Sequence, residues 1–489
     1  MADSPVLLSI NSIEFYMRNV RLRLPFRYGK ACLVAAPLLH VKLAATDSSG
    51  KEVFGTSADM LPPKWFDKSP EKSYADNIQD LLTAARLGAR AYTDVTAEPV
   101  PVFLAWAAAY AQVREEAVPF GLNGLTASFG SSIIERALMD AACRLSGTDF
   151  HTMVKSNGFA IDPGAIHPAL AHTNVSEGFA DEPLKQVAVR HTVGLGDPIR
   201  EAEVADSDRI NDGIPQSLEA WVREFGVHYF KIKIQGNPDV DIARLESIAG
   251  LLAESAPLDY RLTLDGNEQF KSPGQLEEWS AAVNARPKLR ELLSRVLFVE
   301  QPLERSVALS VPLTGGIHAS MPPLLIDESD DSLDSFCRAA ELGYRGTSVK
   351  NCKGVFQGIL NKLLVDHFNG TRGGGYLLSG EDLCNQPIVP LQQDLCTLSV
   401  IGVVHAERNG HHYVGTLDHV SKQEADSVLK HHPDLYDAFG RSARLRIREG
   451  RIALGSLQCA GYGVATLPDF DALTPVSDWR FDSLGIDEA

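Results

Sequence analysis

Five charged residues lie at regular intervals in the middle of the sequence, each at or near the end of a short apolar run: Lys233, Asp265, Glu300, Asp327 and Lys350. Successive members are separated by roughly 30 residues, which is the length that a (β/α)8 barrel gives to one strand, one helix and their loops. Such a barrel gathers the carboxyl ends of its strands around one mouth. We therefore expect these five side chains to face a common site.

The three acidic members of this set would repel one another strongly if they stood unpaired at one mouth. A divalent cation would relieve that repulsion. All-oxygen ligands without a nearby Cys or His favour Mg²⁺, with Mn²⁺ as the second choice, over zinc. We therefore predict a metal site formed by Asp265, Glu300 and Asp327.

The lysines add a chemical role to this predicted metal site. Lys233 and Lys350 would approach a metal-bound substrate from different sides of the barrel, and the metal together with Lys231 would lower the pKa of Lys233. A lysine with a lowered pKa can remove a proton from the carbon next to a carboxylate, while the metal stabilises the enediolate that forms.

The segments around these charges alternate between strand and helix patterns. Over 229–234 the alternation places Lys231 and Lys233 on one strand face and apolar residues on the other. In a barrel strand the lysines would face the interior and the apolar side chains the helical shell. Four strand-then-helix units in a row predict a parallel α/β architecture.

Two further strands are expected beyond this region, over 375–380 and 400–404, the second ending near His405. The stretch that follows is unusually polar and contains His411 and His412. We interpret these histidines as solvent-exposed loop residues.

The N-terminal part has a different pattern. Residues 9–46 alternate apolar and polar positions, which predicts an antiparallel meander. The Ala-rich stretch 62–118 predicts a few packed helices, and 131–145 carries an apolar helical stripe with Ser131 or Ser132 as N-cap.

The predicted fold is a TIM-type (β/α)8 barrel with an α+β capping domain. Residues 1–165 would form the cap, with its helical insert at 62–118, and 166–440 the barrel. From about 441 the period returns to two, so 441–489 would rejoin the cap. The acidic stretch 194–215 is predicted to be a solvated loop.

The composition agrees with a soluble enzyme. The 489 residues are 44% hydrophobic, enough for a large core, and the net charge of −17 argues against a nucleic-acid surface. The seven cysteines are scattered without a CxxC pair, which indicates a reducing compartment and no structural zinc. With no targeting segment and no apolar run long enough to cross a bilayer, we expect a cytoplasmic protein without membrane contact.

Five short motifs resemble, in their order and spacing, the enolase superfamily, specifically its muconate lactonizing enzyme-like and mandelate racemase-like branch with a Lys-Lys acid/base pair. Singly these motifs are common, but five in order are specific. They are Lys231-Ile232-Lys233, Asp265-Gly266-Asn267, Glu300-Gln301-Pro302, Asp327-Glu328-Ser329 and Val349-Lys350.

The resemblance implies that the three carboxylates ligate Mg²⁺ and that Lys233 is a general acid/base on one face of the substrate. Lys350 would be its partner or a cationic stabiliser on the other face, and Lys231 would help to bind the substrate carboxylate. The family often assembles through its barrels and caps, so a homo-oligomer is compatible with the resemblance. Further residues are candidates for substrate contact or support of the site: Asn267, Glu328, Glu381, Asp382, Arg27 and Lys64.

Two opposed lysines suit proton transfer at a single carbon, so we expect a racemase or epimerase acting on a small carboxylate. The alternative uses the same enediolate but expels or recaptures a β-group, as in an acid-sugar dehydratase, a muconate cycloisomerase or an o-succinylbenzoate synthase-like lyase. Two other classes compete with these. One is a metal-free aldolase that forms a Schiff base through Lys233 or Lys350, and the other is a barrel that only binds a ligand.

Overall fold

The N-terminal part of the chain forms an antiparallel sheet covered by helices. The protein is described here by a computed structural model covering residues 5–29 and 31–486. The elements of this part are β1 (Leu7–Tyr28), β2 (Ala31–Thr46), β3 (Glu52–Met60), α1 (Tyr74–Val95), β4 (Val100–Pro101), α2 (Val102–Ala117), α3 (Gly124–Ser146), α4 (Phe150–Lys155) and α5 (Pro163–Ile166).

The predicted meander is confirmed, since β1 pairs antiparallel with β2, and β2 with β3. The turn between β2 and β3 is held by Asp47, whose Oδ1 accepts hydrogen bonds from the backbone N–H groups of Ser49 at 2.8 Å and Lys51 at 2.9 Å. This side-chain mimic of a backbone turn is typical of Asp.

The helices predicted over 62–118 are α1 and α2, but the predicted start of the next helix was wrong. Helix α3 begins at Gly124 and its N-cap is Asn123, whose side chain accepts a hydrogen bond from the backbone of Thr126. The residues expected at its start, Ser131 and Ser132, lie inside the helix. Its first turns lack a clear apolar stripe because most of their residues are small, and at Gly130 the helix packs tightly against α1.

The barrel follows, with its helices on the outside. Its elements are β5 (Gln186–Val193), α6 (Leu218–Phe225), β6 (Tyr229–Lys233), α7 (Pro238–Ser255), β7 (Arg261–Asp265), α8 (Pro273–Asn284), α9 (Arg290–Ser294), β8 (Val296–Glu300), α10 (Arg305–Ala308), α11 (Gly315–Ser320), β9 (Leu324–Ile326), α12 (Ser335–Glu341), β10 (Gly346–Val349), α13 (Val355–Thr371), β11 (Leu377–Gly380), α14 (Val389–Ile401) and β12 (His405–Arg408). Strands β5 to β12 are parallel neighbours in sequence order, and β12 pairs with β5 to close the barrel. The predicted parallel α/β barrel is therefore confirmed.

The last barrel strand lies later than predicted. Residues 400–404 belong to the end of α14 and the turn at Gly402, and the strand is His405–Arg408. Every residue of α14 is buried, including the polar residues Gln392, Gln393 and Asp394, so its sequence shows no stripe of apolar residues facing a polar side. An apolar run without periodicity does not distinguish a buried helix from a strand.

The first barrel strand, β5, was not predicted at all. It carries Arg190, His191 and Thr192 near its carboxyl end, and all three are buried. Because these polar residues interrupt the apolar run, the sequence lacks the pattern that would mark a buried strand.

The stretch after β12 contains α15 (Gly410–Tyr413), α16 (Lys422–His431), β13 (Tyr436–Phe439), β14 (Ser442–Leu445), β15 (Arg451–Ala453) and β16 (Thr474–Pro475). It touches both halves of the chain, because β15 pairs with the barrel strand β5 and β16 pairs with β1. The domain boundaries at 165 and 440 stay predictions. Within the described ranges, no helix is long and apolar enough to cross a membrane.

Candidate active site

The charged residues found by their spacing come together at the carboxyl ends of the barrel strands. Lys233 on β6, Asp265 on β7 and Glu300 on β8 are direct register partners. Asp327 follows β9 and Lys350 follows β10. All five are buried, with exposed fractions of 5% or less.

Lys231 occupies the centre of a carboxylate cluster. Its Nζ lies 3.0 Å from Asp265 Oδ2, 2.7 Å from Glu300 Oε2, 2.7 Å from Glu381 Oε2 and 3.0 Å from Glu407 Oε2. Burial by itself would lower the pKa of Lys231, but these carboxylates, with Asp265 foremost, raise it well above its usual range. Lys231 is therefore a cation that offsets the negative charge of the site.

Lys233 and Lys350 each hold one carboxylate. Lys233 Nζ donates to Asp265 Oδ2 at 2.5 Å, and Lys350 Nζ donates to Asp327 Oδ2 at 2.7 Å. Because β6 and β10 are four strands apart in a closed barrel of eight, the two lysines project from opposite sides of the mouth, and both line the same cavity.

Lys350 also contacts the cap. Its Nζ lies 4.2 Å from the ring centroid of Trp65, a cation–π contact. Burial acts to lower the pKa of Lys350, but Asp327 outweighs it and the pKa is raised. The pKa of Asp327 is lowered by Lys350 and Lys353 against the effect of burial.

Glu300 has no hydrogen bond to satisfy its carboxylate. Both of its oxygens are buried, and none of the residues in 5–29 or 31–486 donates a hydrogen bond to either. Lys231 Nζ forms an ion pair with Oε2 at 2.7 Å, while Oε1 has no partner in these ranges. Burial, followed by the charges of Asp265 and Glu381, raises the pKa of Glu300 well above its usual range.

These features bear on the predicted Mg²⁺ site. The donor set consists of hard carboxylate oxygens, and the buried Glu300 carboxylate, whose oxygens accept no hydrogen bond, is of the kind that a bound cation would neutralise. The types of ligand therefore fit Mg²⁺. The side-chain positions do not converge: in the described part of the chain, no three His, Cys, Asp or Glu side chains are grouped so that they could hold a metal ion. Asp265 and Asp327 direct oxygens to lysine ammonium groups instead.

Asn267 and Glu328, two of the supporting candidates, lie together beside Asp265. The backbone N–H of Asn267 donates to Asp265 Oδ1 at 2.9 Å, and its side-chain amide donates to Glu328 Oε1 at 3.3 Å. Lys68 from the cap covers them, with Nζ 3.2 Å from Glu328 Oε1.

Glu381 and Asp382 are both buried after β11. Glu381 pairs with Arg190 and Lys231, while Asp382 accepts hydrogen bonds from the backbone of Asn385 and Asn409, both at 2.9 Å. Burial raises the pKa of Asp382 to about 6.

Arg27 and Lys64 do not line the cavity. Arg27 is exposed on β1. Lys64 Nζ donates to the carbonyl oxygens of Ser69, at 2.7 Å, and of Lys72. The candidacy of Arg27 and Lys64 for substrate contact stays a prediction.

Sequence reasoning missed several residues of the site. Glu407 lies on β12 and was overlooked as a site residue because that strand was placed too early. Lys353, three residues after Lys350, is buried and bonded to Asp327. Arg190 lies on the unpredicted strand β5, and Trp65 lies in a stretch assigned only to helices. The spacing from Lys350 could have drawn attention to Lys353, whereas nothing local marks the others.

The histidines after β12 correct another interpretation. His411 and His412 are buried rather than exposed. The ring nitrogens His191 Nδ1 and His411 Nε2 lie 2.9 Å apart, and Trp221 Nε1 donates to His412 Nδ1 at 2.9 Å. Burial lowers the pKa of all three histidines, that of His412 to about 3.

Asp197, in the stretch predicted to be a solvated loop, also departs from that prediction, because it accepts a hydrogen bond from the Tyr413 hydroxyl at 2.6 Å. This contact ties the loop after β5 to the end of β12, next to the buried histidines.

The cavity joins the barrel mouth to the cap and is open to solvent. Its floor is polar and contains the lysines and carboxylates of β6, β7, β10 and β12. Its wall comes from the cap and from the loop after β11, and is formed by Phe26, Tyr28, Leu33, Pro62, Trp65, Leu383 and Cys384.

The barrel, the cap and the residues at the strand ends define the class of fold. No protein-family model and no curated protein sequence matches the chain. Solved structures of enolase-superfamily proteins do match it along nearly its whole length. At this level of sequence identity they establish the fold, which is the barrel-and-cap fold of these enzymes.

Three of these structures illustrate the likeness. A dipeptide epimerase from Cytophaga hutchinsonii, complexed with Mg and the dipeptide D-Ala-L-Val, has a TM-score of 0.59 at 14% identity and covers 96% of this chain and 99% of its own. A muconate lactonizing enzyme from Pseudomonas fluorescens, complexed with muconolactone, has a TM-score of 0.57 at 15% identity and covers 96% and 97%. An enolase from Bradyrhizobium, complexed with magnesium and mandelic acid, has a TM-score of 0.56 at 14% identity and covers 95% and 97%.

Proposed function

We propose that this protein is an enolase-superfamily enzyme that removes the proton α to a substrate carboxylate in a Mg²⁺-dependent reaction, and that it acts as a racemase or epimerase. The observation that carries the proposal is the pair Lys233 and Lys350, which project into one buried cavity from strands on opposite sides of the barrel. A planar intermediate held between two such groups can lose a proton to one and gain a proton from the other.

The residues assigned to Mg²⁺ are Asp265, Glu300 and Asp327, supported by the oxygen-only donor set and the buried Glu300 carboxylate, whose oxygens accept no hydrogen bond. When bound, the cation would supply positive charge where negative charge develops on the substrate carboxylate. Lys231 adds a fixed positive charge in the same region.

The chain's own lysines move the proton. One lysine, as the free amine, takes the α-proton, and the electron pair of the broken C–H bond passes into the substrate carboxylate. The opposite lysine, as the ammonium ion, then gives a proton to the other face of the same carbon. Which lysine acts first depends on which stereoisomer is bound, so the reaction runs in both directions.

One observation favours a second candidate, a lyase or cycloisomerase on the same scaffold. Lys350 is held both by Asp327 and by the face of Trp65. A lysine fixed in this way suits a cation that stabilises charge, which leaves Lys233 as the only base. A single base is sufficient for loss or recapture of a β-group.

The test is exchange of the α-proton for deuterium. Metal-replete protein is incubated in D₂O with N-acyl amino acids, dipeptides and acid sugars, and the α-proton is followed by NMR. Exchange that is abolished by EDTA and by Lys233→Ala or Lys350→Ala, but not by Lys422→Ala at an exposed ion pair on the surface, would support the proposal. Inversion would then favour the racemase, and elimination the lyase.

Exchange that survives EDTA would contradict the metal assignment. Exchange that survives both active-site lysine substitutions would contradict the roles given to the lysines. The absence of exchange across the whole set, in a protein that binds no Mg²⁺, would overturn the proposal.

A further inference from the structure

We infer that the substrate is a compact carboxylic acid whose α-substituent is apolar, an aryl or branched alkyl group, with no second charge. The position of the carboxylate rests on the proposed function. The apolar character of the α-substituent is inferred from the residues that line the wall of the cavity. The cavity has a charged floor and an apolar wall. We expect the floor to bind the substrate carboxylate and the wall to contact the α-substituent.

The cations of the cavity are all on its floor. Lys231, Lys233 and Lys350 line it at the strand ends, and among the described residues no other Lys or Arg does so. In the proposed function the substrate carboxylate lies at the floor, beside these lysines and the residues assigned to Mg²⁺. A second carboxylate there would be repelled by the acidic floor residues Asp265, Asp382 and Glu407.

The wall that the cap and the loop after β11 contribute is apolar. Phe26 and Leu33 come from the β1–β2 pair, Trp65 from the segment after β3, and Leu383 from the loop after β11. Each is at most 5% exposed. A substituent that fills the space against this wall loses its water without gaining a hydrogen bond, which favours hydrocarbon over a polar or charged group.

The wall is also rigid. The ring of Phe26 stacks on that of Tyr413 at a centroid distance of 4.2 Å and packs against Tyr28 at 5.1 Å. The hydroxyl of Tyr28 donates a hydrogen bond to the carbonyl of Pro63 at 2.7 Å. This polar atom of the wall is therefore already bonded within the protein.

The cap cations nearest in sequence to the wall are directed elsewhere. Arg27 lies between Phe26 and Tyr28 on β1, so strand alternation places it on the other face, where it is exposed. Lys64 is bound to two carbonyl groups, and Lys68 pairs with Glu268 and Glu328. These contacts account for the absence of these three cations from the wall.

The experiment compares ligands of equal size. N-acetyl-L-leucine, N-acetyl-L-asparagine and N-acetyl-L-aspartate carry isosteric α-substituents that are apolar, polar and charged. Their binding to the full-length protein in excess Mg²⁺ is measured by calorimetry, and exchange of their α-protons is followed in D₂O. We expect N-acetyl-L-leucine to bind about tenfold or more tightly than the other two, since even one methylene changes selectivity in an apolar pocket by that order.

Two variants of Leu33 test whether the wall determines this preference. Leu33→Arg adds a cation to the wall and should shift the affinity ratio towards N-acetyl-L-aspartate by about tenfold or more. Leu33→Met keeps the wall apolar and should leave the ratio unchanged. If Leu33→Arg does not fold, the three-ligand comparison in the parent protein still decides.

The outcomes separate the two proposals. Preference for leucine without α-proton exchange would overturn the proposed function and leave the wall assignment standing. Exchange with no preference, or with preference for the aspartate compound, would support the reaction and overturn the apolar substrate class. Failure of all three compounds to bind would also overturn it.

Discussion

Lys353 holds Asp327 by two different groups of that residue. Its Nζ donates to the backbone carbonyl of Asp327 at 3.2 Å and to the carboxylate Oδ1 at 3.3 Å. The Ser348 hydroxyl, itself 2.7 Å from Lys353 Nζ, donates to the same Oδ1. Only Oδ2 is then left for Lys350 on the cavity side. Lys353 is thus a positioning residue that fixes which carboxylate oxygen of Asp327 faces the site.

Replacement of this cation should weaken metal binding as well as the fold. In Lys353→Met, Asp327 and the buried Asp330, which lies 3.4 Å from the same Nζ, lose a shared positive charge. We expect the free energy of unfolding to fall by about 3–5 kcal/mol, the usual effect of removing one partner from a buried ion pair. We also expect the affinity for Mn²⁺, measured by EPR titration, to fall about tenfold or more, since removal of a group that orients a metal ligand has an effect of this size.

A matched control is Lys362→Met, because Lys362 pairs with Asp366 in a partly exposed i,i+4 pair. It should change Mn²⁺ affinity little. If Lys353→Met bound Mn²⁺ as tightly as the parent protein while losing stability, Lys353 would be structural only.

Removal of the cation at the centre of the site should make stability depend on pH in one direction. In Lys231→Met, the four carboxylates around Nζ lose their common partner. Glu300 already has a raised pKa, so its folded form binds more protons than the unfolded chain above the ordinary pKa of Glu. Stability from such a group is lost as the pH rises. We expect the melting temperature of the variant, relative to that of the parent protein, to fall further at pH 8 than at pH 5.5.

Added Mg²⁺ should restore part of the loss in Lys231→Met, because a divalent cation can replace the missing charge. Lys233→Met, which removes an ammonium group paired with Asp265 alone, provides the comparison and should show a smaller pH effect. A loss of stability in Lys231→Met that is equal at both pH values would contradict the view that this lysine neutralises the cluster.

The sequence revealed the residues whose position follows from strand periodicity. Lys233, Asp265, Glu300, Asp327 and Lys350 each end a short apolar run, and parallel register is enough to bring such residues to one mouth. The pattern failed where the environment removes periodicity. Helix α14 is buried on all sides, and β5 carries Arg190 where a buried strand usually has an apolar residue.

Strand periodicity also does not predict contacts between residues that lie far apart in the sequence. Trp65 contacts Lys350 from the cap, and His412 accepts a hydrogen bond from Trp221. A polar stretch looks exposed in sequence when its partners lie far away along the chain. Only the folded arrangement shows that such residues are buried.

The contact between helices α1 and α3 gives a prediction about folding alone. A Cβ built on Gly130 would overlap the carbonyl oxygen of Ala84, and one built on Gly88 would overlap the carbonyl oxygen of Gly130. Gly130→Ala should therefore force the helices apart and lower the free energy of unfolding by about 1–3 kcal/mol, as overpacking does. Denaturation in urea measures the effect. The control Gly250→Ala on α7, where a Cβ meets nothing within 4 Å, should be neutral or stabilising, and an equal loss in both variants would contradict the assignment.

The buried histidines should make the protein sensitive to acid. Burial lowers the pKa of His412 to about 3, so between that value and its unfolded pKa of about 6.5 the unfolded chain binds more protons than the folded protein. Stability therefore falls as the pH drops below about 6.5, by up to about 1.4 kcal/mol per pH unit for one such group. Asp382 and Asp394, whose pKa burial raises to about 6, act in the opposite direction. A difference between variants cancels their effect.

His412→Asn isolates the histidine contribution. The side-chain oxygen of Asn can replace Nδ1 as the acceptor for Trp221 Nε1, but it does not titrate. Urea denaturation at pH 7.5 and pH 5.5 should show a smaller loss of stability in the variant than in the parent protein, by about 1 kcal/mol. His431→Asn, at an exposed position, should leave the loss unchanged. If His412→Asn and the parent protein lost equal stability over this interval, His412 would have to be charged in the folded protein, against its burial and its hydrogen bond from Trp221.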